Sequence, residues 1–173
     1  HFEEVIVVSN NPNHYSNFDV KVVQDILPGN SPIIGLHAGL NCSGNTYNYV
    51  IACDMPNINI DYIKYLLELK SDKDAYIAVQ NNFIEPFNSL FNKKIIPRIE
   101  EFVAQNQFGF QRLVRSLNAH YIREQDYAIY NKVNMFMNIN SEDDLLDRTR
   151  KYAPIMQSFE ITRVEDDSQY IKT

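Results

Sequence analysis

The chain has 173 residues, which corresponds to one ordinary domain that buries about two-thirds of the surface its unfolded chain exposes. A hydrophobic content of 45% and a charged content of 22% are typical of a globular protein. The net charge of −6 and the pI near 5.2 argue against broad binding of nucleic acids or of anionic membranes.

Cysteine and histidine usage excludes two further classes of protein. Cys42 and Cys53 do not form a CxxC pair, so the sequence predicts no disulfide framework. No two of the four histidines stand at the spacing of zinc ligands. The chain has no secretory segment and no apolar run near 18 residues, so we expect a cytoplasmic protein that does not enter membranes.

Four short apolar runs predict strands. In chain order they are EEVIVVSN, VKVVQD, NYVIACD and DAYIAVQ. Continuous apolar runs are typical of strands in a parallel sheet that is covered on both faces. Asp25 ends the second run and Asp54 ends the third.

Five further segments predict helices. They are SPIIGLHAGLNC, NIDYIKYLLELK, IIPRIEEFVAQ, FQRLVRSLN and NSEDDLLDRTRKY. Asn59 is a suitable cap for the second, Pro97 requires the first turn of the third, and Ser141 with Asp144 resembles a capping box for the fifth. The alternation of strands and helices predicts a three-layer α/β sandwich with a mostly parallel central sheet, in which ligands bind at the carboxyl ends of the strands.

Asp25 precedes a loop rich in proline and glycine, which leads into the helix that contains Gly35. Gly35 lets a ligand approach the backbone closely near the start of that helix. One interpretation is a loop that contacts a nucleoside. The other is an ordinary connection between a strand and a helix, with Asp25 in a turn.

Asp54 is the strongest candidate for metal binding. A carboxylate at the end of a strand suits Mg²⁺, which takes one or two protein carboxylates together with phosphate oxygens and water. Pro56 prevents the strand from continuing beyond it. The alternative is a helix cap or a solvated acid in a loop. We interpret the neighbouring Cys53 as a small core residue and not as a nucleophile.

Polar residues near the end of the chain are candidates for a second ligand. Asn138 and Asn140 are two positions apart, so in a strand both amides point to the same face. Either a polar ligand or a cap of the following helix would satisfy them. Among the basic residues, Arg112 is the best candidate for a phosphate, because it follows Gly109 where a helix is expected to begin.

Four segments together resemble the molybdenum cofactor guanylyltransferase family, within the nucleotidyltransferase superfamily. They are PGNSPIIGLHAGL after Asp25, YVIACDMPNINIDYIKYLLE, EPFNSLF and FMNINSEDDLL. The DMP turn and the FMNINSEDDLL ending are the most specific of these. The resemblance covers residues 1–152 and implies a nucleotidyltransferase domain of Rossmann-like fold there, with a polar tail over residues 153–173.

The resemblance also implies an activity. Members of the family transfer GMP from GTP to the phosphate of molybdopterin, release pyrophosphate and use Mg²⁺. Asp54 matches the catalytic, metal-binding aspartate, and Asn10, or alternatively Asn11, matches an asparagine that follows a family strand. The expected nucleotide-binding residues are Asn10, Asp25, Gly35 and Asp54, and the expected acceptor-binding residues are Asn138, Asn140 and Arg112.

Some positions depart from the family pattern. Ser31 stands where the family usually has glycine, Ile33 where it has leucine, and Glu85 where it has another polar residue. The family's first strand and its Gly-rich loop with Arg and Lys, which grips the triphosphate, do not occur from residue 1 onward. Either they lie upstream, or the protein cannot catalyse the transfer. The tail over residues 153–173 is expected to be an arm or the start of a fused module.

Two alternatives stay open at this point. One is a cytidylyltransferase for the same pterin, or another nucleotidyltransferase that acts on a phosphorylated acceptor. The other is a non-catalytic module that holds the nucleotide or the finished cofactor. In each case we expect small-molecule ligands, with apo-molybdoenzymes or other cofactor-biosynthesis proteins as candidate partners, and neither nucleic acid nor membrane.

Overall fold

A computed structural model describes residues 2–141 and residue 146. The chain divides into two units, His1–Asn138 and Ile139–Thr173, and the second is described only at residues 139–141 and 146. The elements of the first unit are β1 (Ile6–Val8), β2 (Lys21–Val23), α1 (Pro32–Cys42), β3 (Tyr47–Val50), α2 (Ile60–Leu69), β4 (Ala75–Gln80), β5 (Phe83–Asn92), α3 (Ile96–Ala104), α4 (Phe110–Arg115), β6 (Ala119–Ile122) and α5 (Glu124–Tyr127).

The strands form two sheets. β1 and β2 pair in parallel, and the other four strands form a sheet in the order β3-β5-β4-β6. β4 and β6 are parallel, whereas β5 is antiparallel to both of its neighbours. The α/β class is confirmed, but the expectation of a mostly parallel sheet holds for only two of the four strand pairs.

A tight hairpin explains the antiparallel part of the sheet. Gln80 pairs with Phe83, which leaves only Asn81 and Asn82 between β4 and β5. Both residues have positive φ angles, 49° and 65°. Two left-handed residues in a two-residue loop are typical of a type I′ turn, whose twist matches that of paired strands, and asparagine tolerates this conformation. The chain therefore reverses after β4 without a crossover helix.

β4 divides the core into two halves because its side chains alternate between the faces of the sheet. Ala75 and Ile77 pack with α1, α3 and α4, and Tyr76 and Ala78 pack with α2, α5, Met135 and Phe136. The first unit therefore has helices on both faces of its four-stranded sheet, as expected for a three-layer sandwich.

The helices expected over residues 31–42, 59–70, 95–105 and 110–118 are all present. The Asn59 side chain caps α2 and accepts hydrogen bonds from the backbone N–H groups of Asp61 and Tyr62 at 2.9 and 3.0 Å. Pro97 lies in the first turn of α3, where its missing N–H costs nothing. The fifth expected helix lies outside the described residues, apart from Asn140, Ser141 and Leu146. In the described part of the chain, no helix combines the length and apolar character that crossing a bilayer requires.

Candidate functional site

Asn10 and Asp25 form a reciprocal pair at one edge of the β1–β2 sheet. The two strands are parallel, so the residues that follow them meet at the same edge. Asn10 Nδ2 donates to Asp25 Oδ2 at 2.9 Å, and the Asp25 backbone N–H donates to Asn10 Oδ1 at 3.1 Å. Gln24 Nε2 also donates to the Asn10 carbonyl oxygen at 3.2 Å. These bonds fix the orientation of the Asp25 carboxylate.

A groove of about 330 Å³ lies beside this pair. Gly35 forms part of its wall, and a Cβ atom at Gly35 would lie 3.7 Å from Val8 Cγ1 and 4.0 Å from Asp25 Oδ1. The structure therefore brings together three of the predicted nucleotide-binding residues, Asn10, Asp25 and Gly35. The groove is lined by Val8, Ser9, Asn10, Asp25, Asn30, Ser31, Pro32 and Gly35.

The loop that borders the groove is fixed to the connection between α3 and α4. Gly29 has a φ angle of +119°, and a Cβ atom there would approach Ile34 Cδ1 to 2.9 Å and Phe108 Cε1 to 3.1 Å. Ser31 Oγ donates to the Phe108 carbonyl oxygen at 2.8 Å and makes no capping bond to α1. The serine that departs from the family pattern thus has a structural partner.

Asp54 lies in a turn at residues 53–54, because β3 ends earlier than expected, at Val50. Its Oδ1 atom is buried and has no hydrogen-bond partner within residues 2–141. Asp54 does not line the groove beside Asp25. Cys53 is exposed, so its interpretation as a core residue is wrong. Within the described ranges, no group of three or more His, Cys, Asp or Glu side chains is arranged to hold a metal ion.

Asparagines connect the segment that follows Asp54 to residues 130–134. Asn57 Nδ2 donates to the carbonyl oxygens of Val133 and Asn134 at 2.7 and 3.0 Å. Asn59 Nδ2 donates to the Tyr130 carbonyl oxygen at 2.7 Å. The sequence pattern marks Asn59 only as a cap, and nothing in the local pattern around Asn57 indicates its distant partners.

The three predicted acceptor-binding residues are all exposed. Asn138 and Asn140 are exposed and occur in irregular backbone, so the strand geometry that would point both amides to the same face is absent there. Asn138 belongs to the first unit and Asn140 to the second. Arg112 is exposed on α4, whose N-cap is Gly109 as expected, and it does not line the groove.

Solved structures with a similar fold include two proteins of known class. Molybdopterin-guanine dinucleotide biosynthesis protein A from Archaeoglobus fulgidus superimposes with a TM-score of 0.72 at 23% identity, over 87% of this chain and 79% of that one. A nucleotidyl transferase from Methanothermobacter thermautotroptrophicus superimposes with a TM-score of 0.60 at 14% identity, over 88% of this chain and 74% of that one. These likenesses confirm a nucleotidyltransferase fold of the Rossmann-like type.

Two curated relatives have a higher sequence identity to this chain than these two structures have. The molybdenum cofactor guanylyltransferase of Syntrophotalea carbinolica is 33% identical over 156 residues, which cover 88% of this chain and 74% of that protein. A probable molybdenum cofactor guanylyltransferase of Peptoclostridium acidaminophilum is 34% identical over 164 residues, which cover 90% of this chain and 72% of that protein. The family model of the MobA-like NTP transferase domain matches residues 1–122. The chain therefore belongs to the MobA-like NTP transferase family.

Proposed function

We propose that this chain transfers GMP from GTP to the phosphate of molybdopterin and releases pyrophosphate. The observation that carries the proposal is the groove at the ends of β1 and β2, where Asn10 fixes the Asp25 carboxylate beside Gly35. This is the strand edge at which α/β folds bind ligands, in a chain whose relatives are named guanylyltransferases.

The groove suits the nucleoside part of GTP. Asp25 Oδ2 accepts a hydrogen bond from Asn10, and the Asp25 carboxylate keeps further lone pairs for the N–H or O–H donors of a nucleoside. A hydrogen bond to an ionised carboxylate is stronger than one between neutral groups. Gly35 leaves space next to Asp25 that a side chain would fill. Asn10, Asp25 and Gly35 are therefore the proposed nucleotide-binding residues.

Asp54 is the proposed ligand for Mg²⁺ and the proposed catalytic residue. Its buried Oδ1 atom has no hydrogen-bond partner among the residues that the structure describes, and such a carboxylate oxygen suits a hard cation. The described residues contain no group of three or more His, Cys, Asp or Glu side chains arranged around a metal, so phosphate oxygens and water would supply most of the coordination. When bound, Mg²⁺ supplies positive charge that offsets the charge on the reacting phosphates.

The reaction requires little covalent chemistry from the protein itself. An oxygen of the acceptor phosphate attacks the α-phosphorus of GTP, a new P–O bond forms, and the bond to the β-phosphate bridging oxygen breaks so that pyrophosphate leaves. The task of the chain is to align the two substrates. Asn138, Asn140 and Arg112 are the proposed residues on the acceptor side, on the basis of the family resemblance.

Incubation of the purified protein with GTP, molybdopterin and Mg²⁺ tests the proposal. We expect stoichiometric formation of the guanine dinucleotide, identified by mass spectrometry, and of pyrophosphate. CTP and ATP are compared in parallel reactions. Preferred use of CTP would indicate a cytidylyltransferase, and tight binding of GTP without pyrophosphate release would indicate a carrier module.

Asp54→Asn tests the metal role within the same assay. The amide has the shape of the carboxylate but lacks the charge that holds Mg²⁺, so we expect a folded protein whose transfer activity falls below detection. Asp61→Asn, at an exposed position in the first turn of α2, is the matched control and should retain activity. Pyrophosphate release at the parental rate by Asp54→Asn would contradict the assignment.

A further inference from the structure

Asn88 is a buried polar residue in an unusual backbone position. It lies in β5, its side chain is fully buried, and its φ angle is 57°. The pairing of β5 with β4 is interrupted at this level, between Tyr76 and Ala78. Left-handed backbone within a strand costs energy, and interruptions of strand pairing are common beside functional sites. We therefore expect Asn88 to have a role in addition to packing.

The amide of Asn88 connects three separate segments. Its Oδ1 atom accepts a hydrogen bond from the Tyr49 hydroxyl group in β3. Its Nδ2 atom donates to the Met135 carbonyl oxygen and contacts Met55 Sδ at 3.4 Å. Burial raises the pKa of the Tyr49 hydroxyl far above its usual range, so this group remains a neutral donor at physiological pH.

Two of these segments contain predicted site residues. Met55 directly follows Asp54 and is itself buried, and Met135 lies on the segment that leads to Asn138. Asn88 thus touches the turn proposed for the metal and the segment proposed for the acceptor. It does not line the groove that holds Asn10 and Asp25.

We propose that Asn88 is a positioning residue that couples the Asp54 turn to the segment before Asn138, and that it determines binding of the phosphorylated acceptor without affecting binding of GTP. This inference rests on the proposed guanylyl transfer. Loss of this link would displace the segment that leads to Asn138 and weaken the proposed acceptor contacts, whereas Asn88 does not line the groove that holds Asn10 and Asp25.

Loss of the Asn88 amide should leave the rest of this region in place. Asn57 and Asn59 independently hold residues 130–134 through three hydrogen bonds. A variant at position 88 therefore loses the link to Met135 and Met55 but not the attachment of the whole segment. The effect should be local, which makes it measurable in a folded protein.

Two substitutions and one control test the inference. Asn88→Gly tolerates the left-handed backbone but removes all side-chain bonds, and Asn88→Asp keeps an acceptor for Tyr49 but removes the donor to Met135. Asn81→Gly, at an exposed left-handed position in the hairpin turn, is the control. We expect both Asn88 variants to raise the KM for molybdopterin roughly tenfold, with the Kd for GTP from calorimetry unchanged. Equal changes for the two ligands, or a lower kcat with both constants unchanged, would overturn it.

Methionine methyl NMR supplies a readout that needs no transfer activity. Met55 and Met135 both border Asn88, so Asn88→Gly should shift both methyl resonances in the protein without ligands, whereas Asn81→Gly should shift neither. If the parent protein forms no dinucleotide, the proposed function fails and the role in acceptor binding fails with it. If only one of the two methyl groups responds to Asn88→Gly, the coupling itself is wrong even in an active enzyme.

Discussion

Asp25 shows how a single side chain can be held ready for a ligand. Its backbone N–H and one carboxylate oxygen are both bonded to the same partner, Asn10. The rule that parallel strands meet their ligands at the carboxyl edge predicted that residues after β1 and β2 would lie together. The reciprocal pairing itself was not predictable, because it depends on the register of Val7 with Val22.

We expect Asp25→Ala to raise the KM for GTP roughly ten- to hundredfold and to leave the KM for molybdopterin nearly unchanged. The reason is the loss of one hydrogen bond to a charged group, worth about 1.5–3 kcal/mol. Asp19→Ala, an exposed acid in the β1–β2 connection, is the control. Steady-state kinetics at fixed Mg²⁺ measures both KM values. An unchanged KM for GTP would mean that Asp25 only forms part of a turn.

Glu85 provides a prediction on pH. Partial burial raises the pKa of its carboxyl group in the folded protein. The folded state then binds the proton more tightly than the unfolded state, so stability falls as pH rises from the usual carboxyl pKa through the raised value. Glu85→Gln removes this loss, and we expect the variant to be more stable than the parent at neutral pH.

Urea unfolding across a pH series measures this difference. The gain in unfolding free energy from Glu85→Gln should vanish below about pH 4, where the glutamate is protonated in both states. Glu68→Gln, at an exposed position on α2, is the matched control. A constant difference between parent and Glu85→Gln at every pH would show that titration of Glu85 is not its cause.

At the scale of elements, helix caps and short apolar runs identified helices and strands from the sequence. A strand whose apolar pattern is interrupted by polar residues could not be identified in this way. β1 to β4 and α1 to α4 follow from local patterns, and Asn59 caps α2 as predicted. β5 was missed because Glu85, Pro86 and Asn88 break its apolar pattern, although the two asparagines of the preceding turn are a signal for a hairpin.

Asn59 joins two elements through one side chain. We expect Asn59→Ala to lower the free energy of unfolding by about 1–3 kcal/mol, because it removes the cap of α2 and the bond to the Tyr130 carbonyl oxygen. Asn59→Asp keeps the capping oxygen but loses the donor, and should cost less. Denaturant unfolding of both variants separates the two contributions. Equal losses would mean that the cap contributes little.

At the scale of the molecule, the fold class and the order of the layers could be predicted from the sequence. The candidate site could be predicted only in part. Alternation of strands and helices gave the three layers, and β4 divides the core as a buried strand should. The burial of Asp54 Oδ1 without a described hydrogen-bond partner and the three contacts of Asn88 depend on how distant segments pack in the folded chain. The expected tail, residues 153–173, and the domain boundary at 152 lie outside the described residues and stay predictions.

A ligand that binds only the folded state stabilises the whole molecule. At a GTP concentration 100 times its Kd we expect about 2.7 kcal/mol of stabilisation, or a rise in Tm of roughly 5–10 °C. Asp25→Ala should lose most of this rise at the same concentration, and ATP should give a smaller one. Differential scanning calorimetry with Mg²⁺ measures all three. Identical midpoints with and without GTP would contradict nucleotide binding.

The small β1–β2 sheet has a consequence for how the molecule opens. Each of its strands has three residues, and a two-stranded pair has little stability of its own. Its order depends on α1, where a Cβ atom at Gly39 would lie 3.3 Å from Val8 Cγ2. Amide protons of β1 should therefore exchange with solvent through local opening, whereas amide protons of β4 should exchange only through global unfolding. The proposed nucleotide groove thus lies on the part of the fold that we expect to open first. Binding of a nucleotide in the groove should therefore slow hydrogen exchange of the β1 amides.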